Sequence, residues 1–214
     1  AIHDARVGAL YLVRDRIGVK PLYMYDDGKK LLFASEIKAL LRAGVPRAID
    51  YEALHYFLTF NYVPPPYTAF AGVRHLMPGT WLRIDANDGI ITKRWWNLAD
   101  IQPTCKSEAQ WIEEFNALLD DAVRLRLRAD VPFGAFLSGG VDSSSVVGLM
   151  ARHMTRPVKT FSIGFEDPRY DESQYAEEAA QRFQPEHTLA HVAANMLDLW
   201  PLATYYCDQP HGDV

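Results

Sequence analysis

The chain has 214 residues, a formal net charge of -5, 49% hydrophobic residues and 23% charged ones. That is ordinary soluble globular composition, enough for one large domain or two small ones. The acidic balance argues against nucleic acid as a partner, which would need clustered Lys and Arg, and no apolar run approaches the roughly 18 residues that span a bilayer.

Residues 7–13 form a short apolar run that fits a buried strand, broken by Arg14-Asp15-Arg16-Ile17-Gly18. Strands at 21–25 and 31–34 flank Asp26-Asp27-Gly28-Lys29, a hairpin turn signal. Ser35 is placed to cap a helix over 36–42 that stops near Gly44, and Asp50 to cap another over 51–59. Pro64-Pro65-Pro66 can continue neither a helix nor a central strand. Further strands fall at 73–77, 80–84 and 90–96, with Pro78-Gly79 and Asn87-Asp88-Gly89 in the turns.

A boundary is expected near residues 100–106, where strands with turns give way to long helices alternating with strands. Ser107 and Gln110 have capping-box spacing. Trp111, Phe115, Leu118, Leu119, Ala122 and Leu125 then recur as one helical stripe. Arg124, Arg126 and Arg128 read as a solvated face. A strand at 131–137, a helix at 144–153, a strand at 158–165, a helix at 171–183, a strand at 187–192 and a helix at 195–205 complete the chain. This order implies a parallel sheet with right-handed crossovers. The expectation is therefore a strand-rich α+β half over 1–103 and an α/β half over 104–214.

Cys105 and Cys207 are far apart and neither sits in a CxxC pattern, so a disulfide framework or zinc site is not expected. Cytosolic residence is the default reading. Ala1 opens no signal peptide and no natural start, and both ends read as cut from a longer protein.

The segment that carries chemistry is Ser138-Gly139-Gly140-Val141-Asp142-Ser143, between the strand at 131–137 and the following helix. Ligands of parallel sheets bind at the carboxyl ends of strands, and a helix N-terminus suits a phosphate. Gly139 and Gly140 permit positive φ and close backbone approach. Ser138, Ser143 and Ser144 add hydroxyl donors. A carboxylate at Asp142 would repel phosphates unless a divalent cation lay between, as Mg²⁺ does when held by one or two carboxylates and phosphate oxygens. The plainer reading is a Gly-Gly turn before a Ser-capped helix. The string lacks the Gly-Lys-Ser/Thr ending of a Walker A loop and the third glycine of a dinucleotide fingerprint.

These residues resemble the pyrophosphate loop of ATP pyrophosphatases. The flanks, residues 130–137 and Thr160-Phe161-Ser162-Ile163-Gly164-Phe165, resemble the glutamine-dependent asparagine synthetases. Residues 14–23 and Phe33-Ala34-Ser35-Glu36-Ile37-Lys38-Ala39-Leu40 resemble the end of that family's glutaminase domain, as do Pro78-Gly79 and Arg94-Trp95-Trp96. The resemblance implies the last part of an N-terminal nucleophile glutaminase domain followed by the first part of an adenine nucleotide alpha hydrolase-like domain. It implies an ATP-dependent amide ligase that turns L-aspartate into L-asparagine through a β-aspartyl adenylate, with Mg²⁺ and with ammonia from L-glutamine. Leu137, Ser138, Gly139, Gly140, Val141, Asp142 and Ser143 would surround ATP, backbone groups of Ile163 would read adenine, and Asp142 would hold Mg²⁺. No nucleic acid or membrane partner is implied, and a homodimer stays open. The family's N-terminal Cys nucleophile has no counterpart here, nor does its second acid-rich ATP loop, so the chain alone is expected to be inactive. A β-lactam synthetase, an exopolysaccharide-associated amidotransferase and an inactive nucleotide-binding piece are the rival readings.

His75, His187, His191 and His211 lack partners at diagnostic spacing and read as structural or solvated, with His187 kept as a candidate on the loop's side of the sheet. Asp167, Asp171 and Glu172 either line the site's mouth or decorate a helix N-terminus, the second being preferred for Asp171 and Glu172. Trp95 and Trp96 read as packing, and residues 207–210 are assigned no chemistry.

Overall fold

A computed structural model of the chain describes residues 1–85, 89–167, 169, 171–192 and 196–212. The first elements are β1 (Ile2–Asp4), β2 (Ala9–Val13), β3 (Tyr23–Asp26), β4 (Leu31–Ala34), α1 (Ile37–Arg42), α2 (Tyr51–Phe60), β5 (Val73–His75), β6 (Thr80–Asp85) and β7 (Gly89–Arg94). After a 3₁₀ turn at Leu98–Asp100 come α3 (Glu108–Arg126), β8 (Ala135–Phe136), α4 (Val141–His153), β9 (Lys159–Phe165), α5 (Ser173–Phe183), β10 (Glu186–Val192) and α6 (Met196–Tyr206). Ala1–Pro103 with Met196–Val214 make one compact unit and Thr104–Asn195 another.

The first unit holds two antiparallel sheets, ordered β1-β2-β6-β7 and β4-β3-β5. Side chains alternate across a strand, and β3 uses both faces. Met24 joins Leu12, Leu76 and Leu82, while Tyr23 and Tyr25 pack with Ile37, Leu40 and Val45. The three-stranded sheet is thus covered by the other sheet on one face and by α1 on the other. Each large apolar side chain so buried contributes roughly 1.5–3 kcal/mol. The β3–β4 hairpin forms as its turn residues require. The Asp26 carboxylate accepts from the N–H of Gly28 (2.8 Å), and that of Asp27 from Lys29 (3.0 Å) and Lys30 (2.9 Å).

The run after β2 is a structural knot rather than a simple break. Arg14, only 7% exposed, donates to the carbonyls of Leu76 (2.7 Å), Lys20 (3.1 Å) and Gly18 (3.1 Å). Asp15 accepts from the N–H groups of Val19 (2.9 Å) and Lys20 (3.1 Å). Pro78-Gly79 joins β5 to β6, which lie in different sheets. Gly79 has φ +61, and a Cβ there would stand 2.3 Å from the Trp96 carbonyl oxygen.

Several local expectations shift. Glu36, not Ser35, occupies the N-cap of α1, and no side chain caps it. Asp50 caps α2 by accepting from Ala53 N–H, as expected. Of the turn expected at Asn87-Asp88-Gly89, Asn87 and Asp88 lie outside the described residues, as does the expected start of the last helix at 195.

The last helix packs with the first unit. The Asp208 carboxylate accepts from Lys38 N–H (3.1 Å) and meets Lys38 Nζ at 3.0 Å. Gly212 N–H donates to the Asn61 carbonyl at 2.6 Å.

In the second unit β10, β9 and β8 form a parallel sheet in that order, the arrangement that alternating helices and strands imply. The Ser107–Gln110 capping box is formed in full. The stripe expected on α3 is covered only in part. Of its members Leu119 and Ala122 are half-buried, whereas Trp111, Phe115, Leu118 and Leu125 are exposed; the side chain of α3 that is buried, with Met150 and Val158, is Val123, which the stripe does not include. The strand expected at 131–137 shortens to Ala135–Phe136. Pro132 has no N–H for the ladder, and Gly134 passes so close to β9 that a Cβ would stand 2.6 Å from the Lys159 carbonyl oxygen.

Candidate functional site

The strand β9 reads against the usual rule. Its burial alternates, but the polar Thr160 and Ser162 point inward while Phe161, Ile163 and Phe165 are exposed. A buried hydroxyl must find a partner, and both do. Thr160 Oγ1 lies 2.9 Å from His187 Nδ1. Ser162 Oγ donates to the carbonyl of Leu137, the last residue before the Ser138 loop. Leu137 N–H donates to the Phe161 carbonyl at 2.9 Å. The loop therefore leaves β8 from a point held to β9 on both main-chain groups.

Leu137 buries its side chain with Val147 of α4 and Ala176 of α5. Gly139 follows in the left-handed region, φ +77, with the main chain of α5 directly behind it. A Cβ there would stand 2.2 Å from the Tyr175 carbonyl carbon. Gly140 differs from the expectation of positive φ. It is extended, φ -67 and ψ 162, and serves as the N-cap of α4. A Cβ on Gly140 would meet nothing nearer than Ser138 Oγ at 3.4 Å. Its freedom of space, not its dihedral, is what it gives the loop.

Because Gly140 is the N-cap, α4 begins at Val141, three residues before the expected start. Val141, Asp142 and Ser143 are its first turn. The N–H groups of a first turn have no partner within the helix, and no side chain caps α4. The loop's hydroxyls bond among themselves instead. Ser138 Oγ lies 3.0 Å from Ser143 Oγ, Ser143 Oγ donates to the Gly140 carbonyl at 3.2 Å, and Ser138 N–H donates to Ser143 Oγ at 3.2 Å. The loop is thus preformed, with an uncapped helix N-terminus at its mouth. Val141 is 82% exposed and the Asp142 side chain is exposed too, with no hydrogen bond or ion pair to a described residue.

Beside the loop lies a cavity of about 260 Å³ lined by Leu137, Ser138, Phe161, Ile163, Phe165 and Glu172, among others. Backbone groups along a strand also alternate between its two sides. Phe161 directs its carbonyl toward β8, so Ile163, two residues on, directs its N–H and C=O to the same side, beyond the last paired residue Phe136. Ile163 lines the cavity at this level.

The structure gathers Leu137, Ser138, Gly139, Gly140, Val141, Asp142, Ser143 and Ile163 around this one place. It leaves His187 outside. That residue sits at the amino end of β10, level with Thr160, away from the carboxyl ends where the loop lies. His191 lies level with Gly164 near the carboxyl end instead. Glu172 lines the cavity. Asp171 closes the turn into α5: it accepts from Ser173 N–H (3.1 Å), the Ser173 hydroxyl (2.9 Å) and Phe165 N–H (3.3 Å). The Ser173 N–H and hydroxyl, then Phe165 N–H and His191, hold its carboxyl below the usual range. Asp167 is forked by Arg169 (Nη2–Oδ2 2.6 Å). Sequence reasoning missed Ser162, Tyr175 and the aromatic wall. The inverted pattern of β9, with hydroxyls inside and aromatics outside, is the signal that finds the first and third.

A divalent cation is compatible with this loop. Asp142 offers one unencumbered carboxylate beside the uncapped helix end. Among the described residues no group of three or more His, Cys, Asp or Glu side chains is placed to hold a metal, so a cation here would take its remaining oxygens from nucleotide and water.

Comparison with known proteins matches two family profiles in order, a glutamine amidotransferase domain over residues 1–96 and asparagine synthase over residues 114–214. Among curated proteins, one from Methanocaldococcus jannaschii bearing the name of a glutamine-hydrolysing asparagine synthetase is 38% identical over 99% of this chain and 42% of its own length. A glutamine-hydrolysing asparagine synthetase of Bacillus subtilis is 35% identical over 95% of this chain and 32% of its own length. A Mycobacterium bovis protein bearing the same name is 34% identical over 100% of this chain and 34% of its own length. The chain spans less than half the length of these relatives.

Proposed function

Because the chain belongs to the glutamine-hydrolysing asparagine synthetase family, we propose that it carries the nucleotide loop of an ATP-dependent amide ligase. The reaction is conversion of L-aspartate to L-asparagine with ammonia released from L-glutamine. A carboxylate is a poor electrophile. Its oxygen attacks the α-phosphorus of ATP, pyrophosphate leaves, and the resulting β-aspartyl adenylate is attacked at its acyl carbon by ammonia, releasing AMP.

The observation that carries this reading is the uncapped N-terminus of α4 behind a left-handed Gly139. Charge develops on the leaving pyrophosphate, and preorganised N–H groups stabilise such charge without reorganising. In this reading Ser138, Gly139, Gly140, Val141 and Ser143 cradle the β- and γ-phosphates. The main-chain groups of Ile163 take adenine, with the nucleoside in the cavity. Asp142 holds Mg²⁺, which when bound would neutralise phosphate charge. Positioning of the two reactants supplies much of the remaining acceleration.

The test is product identity. The full-length protein that carries this chain is incubated with ATP, Mg²⁺, L-aspartate and ammonium. AMP, pyrophosphate and asparagine in equal amounts support the reading. ADP and phosphate would overturn the role of the loop, and AMP without asparagine would move the acceptor to another carboxylate.

A further inference from the structure

In the first unit a cavity of about 340 Å³ opens between α1 and α6, far along the chain from the Ser138 loop. Its apolar wall is Ile37, Leu41 and Phe70, and the ring of Tyr205 stands at its side. Four charged side chains line it: Lys38, Arg42, Arg47 and Asp208. Two of these are already matched. The Asp208 carboxylate, 6% exposed, is held by the N–H and the ammonium of Lys38. Arg42 and Arg47 have no carboxylate partner and no hydrogen-bond acceptor among the described residues. In a chain with a net charge of -5, two uncompensated guanidinium groups on one small cavity are a local excess of positive charge.

The walls are fixed. Arg42 is in the last turn of α1, and α1 is packed into the core through Ile37 and Leu40. The segment after Arg47 is pinned across to the segment bearing Phe70: Ala71 N–H donates to the Ala48 carbonyl at 2.8 Å, Asp50 N–H to the Ala69 carbonyl at 3.1 Å, and Ile49 bridges Phe70. On the α6 side, Lys38 Nζ lies 5.7 Å from the Tyr205 ring centroid as well as against Asp208. Guanidinium forks match carboxylate and phosphate oxygens, and the volume is that of a small-molecule site.

We propose that this cavity binds a small organic anion, a phosphate or carboxylate carrying a compact apolar or aromatic group. Its acid group lies against Arg42 and Arg47 and its apolar part against Leu41, Phe70 and Tyr205. The site is independent of the nucleotide loop and of the reaction proposed for it.

The test uses phenyl phosphate as probe in isothermal titration calorimetry on the whole chain, with inorganic phosphate and phenol as its separate halves. One saturable site is expected, at least tenfold tighter for phenyl phosphate than for either half. The Arg42→Gln/Arg47→Gln double variant should weaken it at least tenfold, and saturating ATP with Mg²⁺ should leave it unchanged. Both arginines are exposed, so the fold should persist, checked by circular dichroism. If the double variant misfolds, each single variant should weaken binding several-fold. Unsaturable binding, equal affinity in the folded variants, or displacement of the probe by ATP would overturn the proposal.

Discussion

The buried hydroxyl of Ser162 donates to the main-chain carbonyl of Leu137, and so ties the middle of β9 to the residue from which the Ser138–Ser143 loop departs. Ser162 contributes no atom to the Ser138–Ser143 hydroxyl network, yet it fixes where that network starts. Replacing it by alanine leaves a buried carbonyl without this partner, at a cost of about 1–3 kcal/mol. Ser162→Ala is expected to lower the unfolding free energy from urea titration by that amount, with a lower midpoint, and to weaken ATP binding. An unchanged midpoint and affinity would mean that the Leu137 carbonyl needs no such hold.

The two glycines of the loop should separate in their response. Gly139→Ala combines positive φ with a Cβ 2.2 Å from main-chain carbon of Tyr175, and backbone cannot yield as a flexible side chain does. It should destabilise the second unit and abolish nucleotide binding. Gly140→Ala should leave the melting temperature nearly unchanged, because its Cβ meets only Ser138 Oγ at 3.4 Å. Gly140→Val should keep the fold while blocking the approach of phosphate. Equal melting temperatures for Gly139→Ala and wild type would contradict this division.

Arg14 is expected to be costly to remove although it is charged. Its guanidinium serves three main-chain carbonyls at once. Arg14→Met should destabilise the unit by about 1.5–3 kcal/mol, since hydrogen bonds to charged donors are among the stronger ones. Hydrogen exchange should rise first at residues 15–20 and 76–79. Protection equal to wild type there would refute the assignment.

His75 sets a pH dependence. Burial, and then the neighbouring Arg14 charge, push its pKa down from 6.5 to about 4. Between those values the unfolded chain binds the proton and the folded chain does not. The stability of the first unit therefore rises with pH through this window and falls as the medium is acidified from 6.5 toward 4. Unfolding midpoints measured from pH 7 to 4.5 should fall in wild type and fall less in His75→Asn. Parallel curves would show that another group carries the effect.

How much of this was legible in the chain follows from where local chemistry decides the outcome. The β3–β4 hairpin, the Asp50 cap and the Ser107–Gln110 capping box were readable because each is settled by neighbours in sequence. The loop was readable as a string, and so was the parallel sheet around it. What escaped depends on contacts between distant residues. Gly139 and Gly140 look alike in sequence, and only the passage of Tyr175 behind one of them distinguishes their roles. Ser162 is a strand residue with a small polar side chain until Leu137 is placed beside it. The stripe on α3 has helical period, but period does not say how much of a face is covered. Asp208 showed no chemistry because its partner, Lys38, is 170 residues away.

The most direct test of the central claim is pyrophosphate release from ATP and Mg²⁺ by the protein that carries this chain. It is measured with and without L-aspartate, ammonia serving as nitrogen source, in wild type and in Asp142→Asn. The account predicts aspartate-dependent release in wild type and its loss in a normally folded Asp142→Asn. Equal release by both proteins would contradict the role assigned to the loop.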